Sequence, residues 1–301
     1  MTSAALHGTR REGLGLGLGL LGVLAFSGTV PATVLALHAF SPGFVALGRA
    51  ALAGLVAGLL LLAFRQRLPR RDELRGLALA AAGVVFGFPL LMTWALRTVE
   101  PAHGSVVLGI LPLATATCGA LLQRERPSPA FWLTAAAGSA TVVAFALWDN
   151  PSGGLHLAWG DLALLAAIAL AALGYAEGAR VARSLGGWQT ICWALVLSLP
   201  ILLPLAGRDL LAQPAEPIGP AAWSGFLYVA LISQLAGFFA WYRGLALGGV
   251  ARVSQLQLLQ PFVTLVFVWL VLARPIGPMT LGFAVLVVAL VGLGRRATVS
   301  R

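Results

Sequence analysis

Thr93-Trp94-Ala95-Leu96 and Gly109-Ile110-Leu111-Pro112-Leu113 are echoed about 147 residues later by Ala240-Trp241-Tyr242-Arg243 and Leu258-Leu259-Gln260-Pro261-Phe262. An Arg-Pro pair closes each copy, Arg126-Pro127 in the first and Arg274-Pro275 in the second. The echo divides the chain into residues 1–150 and 151–301, and each part holds five long apolar runs. Five is an odd number, so if every run crosses a membrane the second part enters upside down relative to the first. Inverted repeats of this kind place a ligand site near the bilayer midplane, between the two parts.

Working outward from the repeat, apolar runs between Pro, Gly and Arg punctuation predict ten spans. They cover Gly13–His38, Gly43–Phe64, Arg75–Thr98, Ala102–Leu122, Pro129–Trp148, Gly160–Val181, Trp188–Ala206, Ala221–Leu247, Val250–Leu272 and Met279–Gly294. The expected fold is an all-α polytopic membrane protein, ten transmembrane helices arranged as two inverted five-helix repeats. Composition agrees: 59% of residues are hydrophobic and 10% charged, against about 25% charged in a soluble domain. Runs of about 20 apolar residues, without strict alternation, argue for helices over a barrel. The longest gap, Gly207 to Pro220, leaves no room for a soluble domain.

All twenty basic residues are arginine. Arg10, Arg11, Arg65, Arg67, Arg70, Arg71, Arg75, Arg124, Arg126, Arg180, Arg183, Arg243, Arg252, Arg295, Arg296 and Arg301 fall on one side of a ten-span topology. Arg97, Arg208 and Arg274 fall on the other, and Arg49 lies inside span 2. The positive-inside rule then places both termini in the cytoplasm. Segregation between short loops explains the net charge of +10 without nucleic acid as a partner. The run after Arg11 is too long for a cleaved signal core and is read as the first retained span. Cys118 and Cys192 each sit within an apolar run and imply no disulfide. Four scattered histidines show no metal-ligand spacing, so no metal and no cofactor is expected. A membrane enzyme needs clustered carboxylates, histidines or a nucleophile–base pair, and none is visible.

At Trp94-Ala-Leu-Arg-Thr-Val-Glu-Pro-Ala102, Leu111-Pro112-Leu113, Glu125, Trp159-Gly160-Asp161-Leu162 and Trp241 through Ser254 to Pro261, the chain resembles the EamA-type exporters of the drug/metabolite transporter superfamily. The likeness covers nearly the whole chain and rests on order and spacing, because each motif is degenerate. It implies a non-enzymatic secondary transporter that exports small metabolites, amino acids first among them, by alternating access. A broader exporter of drugs or other metabolites is the alternative, and outside transport the alternatives are a membrane-embedded lipid-modifying enzyme or a non-transporting membrane subunit. One departure is clear: the family pattern repeats Glu125 after span 9, where this chain has Ala273-Arg274.

The candidate cargo contacts are uncharged. Span 9 carries Gln255, Gln257 and Gln260. Gln260 lies roughly 15 Å into the span at about 1.5 Å per residue. Lipid exposure of an amide costs several kcal/mol, so these side chains face inward. There they either hold the polar end of a cargo or tie span 9 to its neighbours. Gln234, Phe238 and Trp241 share one face of span 8. Phe88, Met92 and Trp94 stand in span 3, Leu111 in span 4, Thr29 in span 1 and Tyr175 in span 6. Aromatics mixed with amides favour an apolar or aromatic amino acid as cargo, although membrane aromatics also serve as lipid anchors. Gly13, Gly15, Gly17, Gly19 and Gly22 are expected to let a neighbouring helix approach span 1 closely. Partners are then one small molecule and the bilayer, with a monomer compatible with everything read here.

Overall fold

The structure, a computed structural model, describes residues 3–95, 108–149, 159–212, 217–272 and 277–300. Arg97, His103, Arg274, Pro275 and the motif residues between Leu96 and Ala102 lie outside the described residues. Among the described residues helix follows helix, apart from two strands of two residues each. Span 1 is Ser3–Ser27 and Thr29–Leu37, span 2 is Pro42–Ala63, and span 3 runs from Arg71 to Ala95. Spans 4 and 5 are Leu111–Leu122 and Pro129–Asp149. Spans 6 and 7 are Trp159–Ala182 and Gly187–Leu211, and span 8 runs from Pro220 to Gly248. Span 9 covers Val250 to Leu272 and span 10 is Pro278–Arg296. Seven of these are long and apolar enough to cross a membrane, and spans 4, 5 and 10 are shorter apolar helices.

Three boundaries differ from expectation. Span 1 begins at Ser3, ahead of Gly13. Span 3 begins at Arg71, because the Arg70 N–H donates to the Glu73 carboxylate at 2.8 Å and starts the helix one turn earlier. Span 7 continues through Gly207 to Leu211 despite Pro200 and Pro204 within it, which shortens the connection that follows.

Packing follows the repeat. Span 1 lies against span 8, and span 6 lies against span 3, its symmetry equivalent. Span 2 packs on span 7, span 4 on span 9 and span 5 on span 10, so each of these pairs maps onto itself when the halves are exchanged. Small residues allow the close approaches: Gly15 sits over the backbone of Gly248, and Gly244 over that of Gly19. The core is rich in alanine, including Ala50, Ala53, Ala57, Ala172, Ala176 and Ala179. Large apolar side chains such as Leu62, Leu133, Trp159 and Val285 point outward, as lipid contact requires and water would forbid.

The helices break in related places. A π-helical stretch occupies Ala81–Gly87 in span 3, and another occupies Tyr228–Ala236 in span 8, beginning at the repeat-related position. Pro89 accounts for the first, since it lacks the N–H that Val85 would accept from. No proline follows the second stretch within span 8, so the deformation belongs to the architecture and not to one residue. Span 1 is interrupted at Gly28, where Pro31 withholds an N–H from Ser27.

Candidate functional site

Pro261 organises the centre of span 9. Its missing N–H leaves the Gln257 carbonyl without an α-helical partner, and its ring crowds that same carbonyl. The segment Gln255–Leu259 tightens into a 3-10 helix, and the Gln260 N–H donates to Gln257 O instead. Across from it, span 4 begins after a turn at Gly109-Ile110, with Pro112 in its first turn. Two irregular segments, related by the repeat, thus face one another.

Between them lies a cavity of about 310 Å³. Span 9 contributes Gln257, Leu258, Gln260, Pro261, Thr264 and Leu265; span 4 contributes Leu108, Gly109, Leu111 and Pro112. Val30 of span 1, Phe88 of span 3, and Val142 and Phe145 of span 5 complete the wall. The wall is apolar except for the span 9 amides and Thr264. Gln257 is 4% exposed, and neither polar atom of its amide has a hydrogen-bond partner among the described residues. It approaches the Tyr175 hydroxyl without reaching hydrogen-bond geometry.

Of the residues named from sequence, Phe88, Leu111, Gln257 and Gln260 meet at this cavity. Thr29 adjoins Val30, but its hydroxyl is shared with Ser233 at 2.8 Å, joining spans 1 and 8. Tyr175, Phe238 and Trp241 form a second group, a packed aromatic cluster around Phe26. The Phe26 ring lies 5.0 Å from Phe238 and 6.0 Å from Trp241, and Tyr175 lies 5.5 Å from Trp241. Gln234 is buried in span 8 with its Nε2 unpaired. Met92 packs against Ala95 and Leu164 at the seam between spans 3 and 6, outside the cavity wall. Trp94 is 50% exposed on the surface, whereas its repeat partner Trp241 is fully buried under Gly22 of span 1. The repeat equates the two tryptophans in position but not in environment.

Thr264 and Leu265 were legible in principle: residues 257, 260, 261, 264 and 265 fall on one helical face. Val30, Val142 and Phe145 carry no polar or spacing signal that separates them from lipid-facing neighbours.

A second constellation closes the arginine-rich end. The Glu125 carboxylate, 3% exposed, accepts from Val250 N at 2.9 Å and Ala251 N at 2.7 Å, capping span 9 from the opposite half. Arg126–Pro127 (β1) pairs with Val299–Ser300 (β2) in an antiparallel ladder. Arg252 reaches Glu12 at 2.6 Å and Ala297 O at 3.2 Å. Arg67 binds Glu73 through two hydrogen bonds of 2.7 and 2.6 Å, and that contact holds its guanidinium above the ordinary arginine value. Glu177 and Arg180 pair at 2.8 Å, the boundary ion pair their spacing suggests. Sequence reading singled out Glu125 by resemblance only and gave it no structural role.

Comparison with known proteins agrees with this arrangement. The profile of the EamA-like transporter family matches residues 13–147 and again 158–293. The chain is 49% identical over 278 residues to the Bacillus subtilis (strain 168) protein named uncharacterized transporter YdeK, covering 92% of this chain and 96% of that one. It is 27% identical over 288 residues to a probable terminal-alkyne amino-acid exporter of Streptantibioticus cattleyicolor, covering 94% and 93%. A protein crystal structure with 20% sequence identity superposes with a TM-score of 0.78 over 94% of this chain and 98% of its own, which supports the fold alone. The two family matches, one per half, and the full-length relatives lead to one assignment: this chain belongs to the EamA-like transporter family.

Proposed function

We propose that this transporter exports small metabolites, amino acids with apolar or aromatic side chains foremost, using the cavity between spans 1, 3, 4, 5 and 9 as its cargo site. The observation that carries this reading is the Gln257 amide, buried with both polar atoms unpaired in a wall whose other polar side chains are Gln260 and Thr264. An amide offers one donor and one acceptor side, which suits a zwitterionic head group, while Phe88, Phe145 and Leu265 suit a hydrocarbon tail. The relative named as a probable terminal-alkyne amino-acid exporter supports the same cargo class. In this reading residues 1–150 and 151–301 rock against each other in the bacterial inner membrane, both termini cytoplasmic, and the cavity opens to alternate sides.

The test is efflux of radiolabelled phenylalanine, leucine and an alkyne-bearing analogue from proteoliposomes holding the full chain. Saturable efflux of at least one, lost in Gln257→Leu, is the expected result. Movement of hydrophobic drugs with no movement of any amino acid would reassign the cavity to a broad drug exporter. No movement of any compound would remove the cargo assignment and leave the fold and family untouched.

A further inference from the structure

A second cavity, separate from the cargo site, opens between spans 1, 9 and 10 at the arginine-rich end. Its volume is about 370 Å³. Three glycines in its wall, Gly13, Gly17 and Gly292, have open space where a Cβ would stand. They differ from Gly15 and Gly19 on the same helix, which are pressed against spans 8 and 9. The expectation that all five span 1 glycines serve helix contact therefore fails for Gly13 and Gly17. Helix packing gives them no reason to be glycine, and each glycine costs the helix about 1 kcal/mol relative to alanine. At these three positions the missing side chains leave the crevice open to an occupant.

The polar groups of the crevice identify its chemistry. Gln255 lines it at 5% exposure with Nε2 unpaired, and Arg252 lines it with Nε unpaired. These two nitrogens are donors without acceptors, while the terminal guanidinium nitrogens of Arg252 hold Glu12 and Ala297 O. The terminal torsion of glutamine is broad, so a small turn of the amide presents its N–H groups to the crevice. Polarity falls along the wall: Arg252 and Gln255 stand nearest the start of span 9, and Leu256 and Leu259 stand deeper. Acceptor oxygens above and hydrocarbon below is the order of a phospholipid seated in one leaflet.

We propose that this crevice holds one phospholipid of the leaflet at the arginine-rich end. Its phosphate and ester oxygens accept from Arg252 and Gln255, and one acyl chain lies along Gly13, Gly17 and Gly292. The inference does not depend on the cargo proposed above.

The test uses the full chain in proteoliposomes containing phosphatidylglycerol with a photoreactive diazirine in its acyl chain, followed by peptide mapping. Labelling is expected to concentrate on residues 13–20 and 288–294. Gly17→Leu and Gly292→Leu, which fill open space, lower it about five-fold by removing the chain's packing contacts. Gly282→Leu, also open at Cβ but outside the crevice, leaves it unchanged. Gln255→Leu lowers labelling without filling the crevice, which keeps the test decisive if a glycine variant misfolds. Labelling spread over all lipid-facing helices and indifferent to Gly17→Leu overturns the proposal. So does Gly17→Cys cross-linking between two chains, which assigns the crevice to a second copy. Displacement of the probe by cargo amino acids but not by unlabelled phosphatidylglycerol overturns it as well.

Discussion

A buried polar group left unpaired costs about 1–3 kcal/mol, and Gln257 carries two such atoms. Gln257→Leu is therefore expected to leave the unfolding midpoint equal or higher while lowering efflux about tenfold, the equivalent of about 1.4 kcal/mol of lost binding. Midpoint and initial efflux rate, measured on the same preparation, check both halves of that statement; a fall in stability would make Gln257 a structural tie. The inward facing of this residue was legible from the sequence, because an amide cannot face lipid. Its lack of a partner was not, since pairing depends on which side chains other spans deliver. Trp94 shows the same limit from the other side. The repeat assigns it to the position of Trp241, yet only Trp241 is roofed by a neighbouring helix over a glycine.

Elements were legible where composition changes and hidden where only hydrogen bonding changes. Apolar runs located all ten spans, but Tyr228–Ala236 looks in sequence like ordinary helix. The other two breaks are announced by prolines, Ala81–Gly87 by Pro89 and the 3-10 segment of span 9 by Pro261, each lacking the N–H that a carbonyl four residues upstream would accept from. Pro261→Ala restores an N–H for the Gln257 carbonyl and should relax Gln255–Leu259 toward α-helix, turning Gln257 off the cavity wall. Cysteine accessibility at position 257 should fall and efflux should drop with little loss of stability. Gly244→Leu is expected to act differently. Its side chain meets the backbone of Gly19, and such overpacking costs about 1–3 kcal/mol or more. The readout is a lower yield of folded protein after detergent extraction, and a normal yield would mean that spans 1 and 8 separate more easily than their packing implies.

At the scale of the whole molecule, the arginine distribution and the odd number of spans per half give an orientation that a reporter can read. Green fluorescent protein fused after Arg301 should fluoresce, and alkaline phosphatase at the same point should stay inactive; the opposite pattern would invert the topology. The two-fold pairing of spans was foreshadowed by the sequence repeat, whereas the contact between halves at Glu125 was not, because Val250 and Ala251 offer only backbone.

That contact has a kinetic meaning. Glu125 belongs to the first half and the N–H groups it holds belong to the second, so the alternating access proposed above would have to part them to open the arginine-rich end. Hydrogen bonds to a charged group contribute about 1.5–3 kcal/mol each, so on the proposed cycle parting both would cost about 3 kcal/mol or more. The chain has no glutamate at the repeat-related position, where Ala273-Arg274 stands, outside the described residues. Glu125→Gln keeps one acceptor and weakens the latch. It should raise the share of molecules whose cavity admits a thiol reagent from the arginine-rich side, making one carboxylate the setting that decides which way an idle transporter faces.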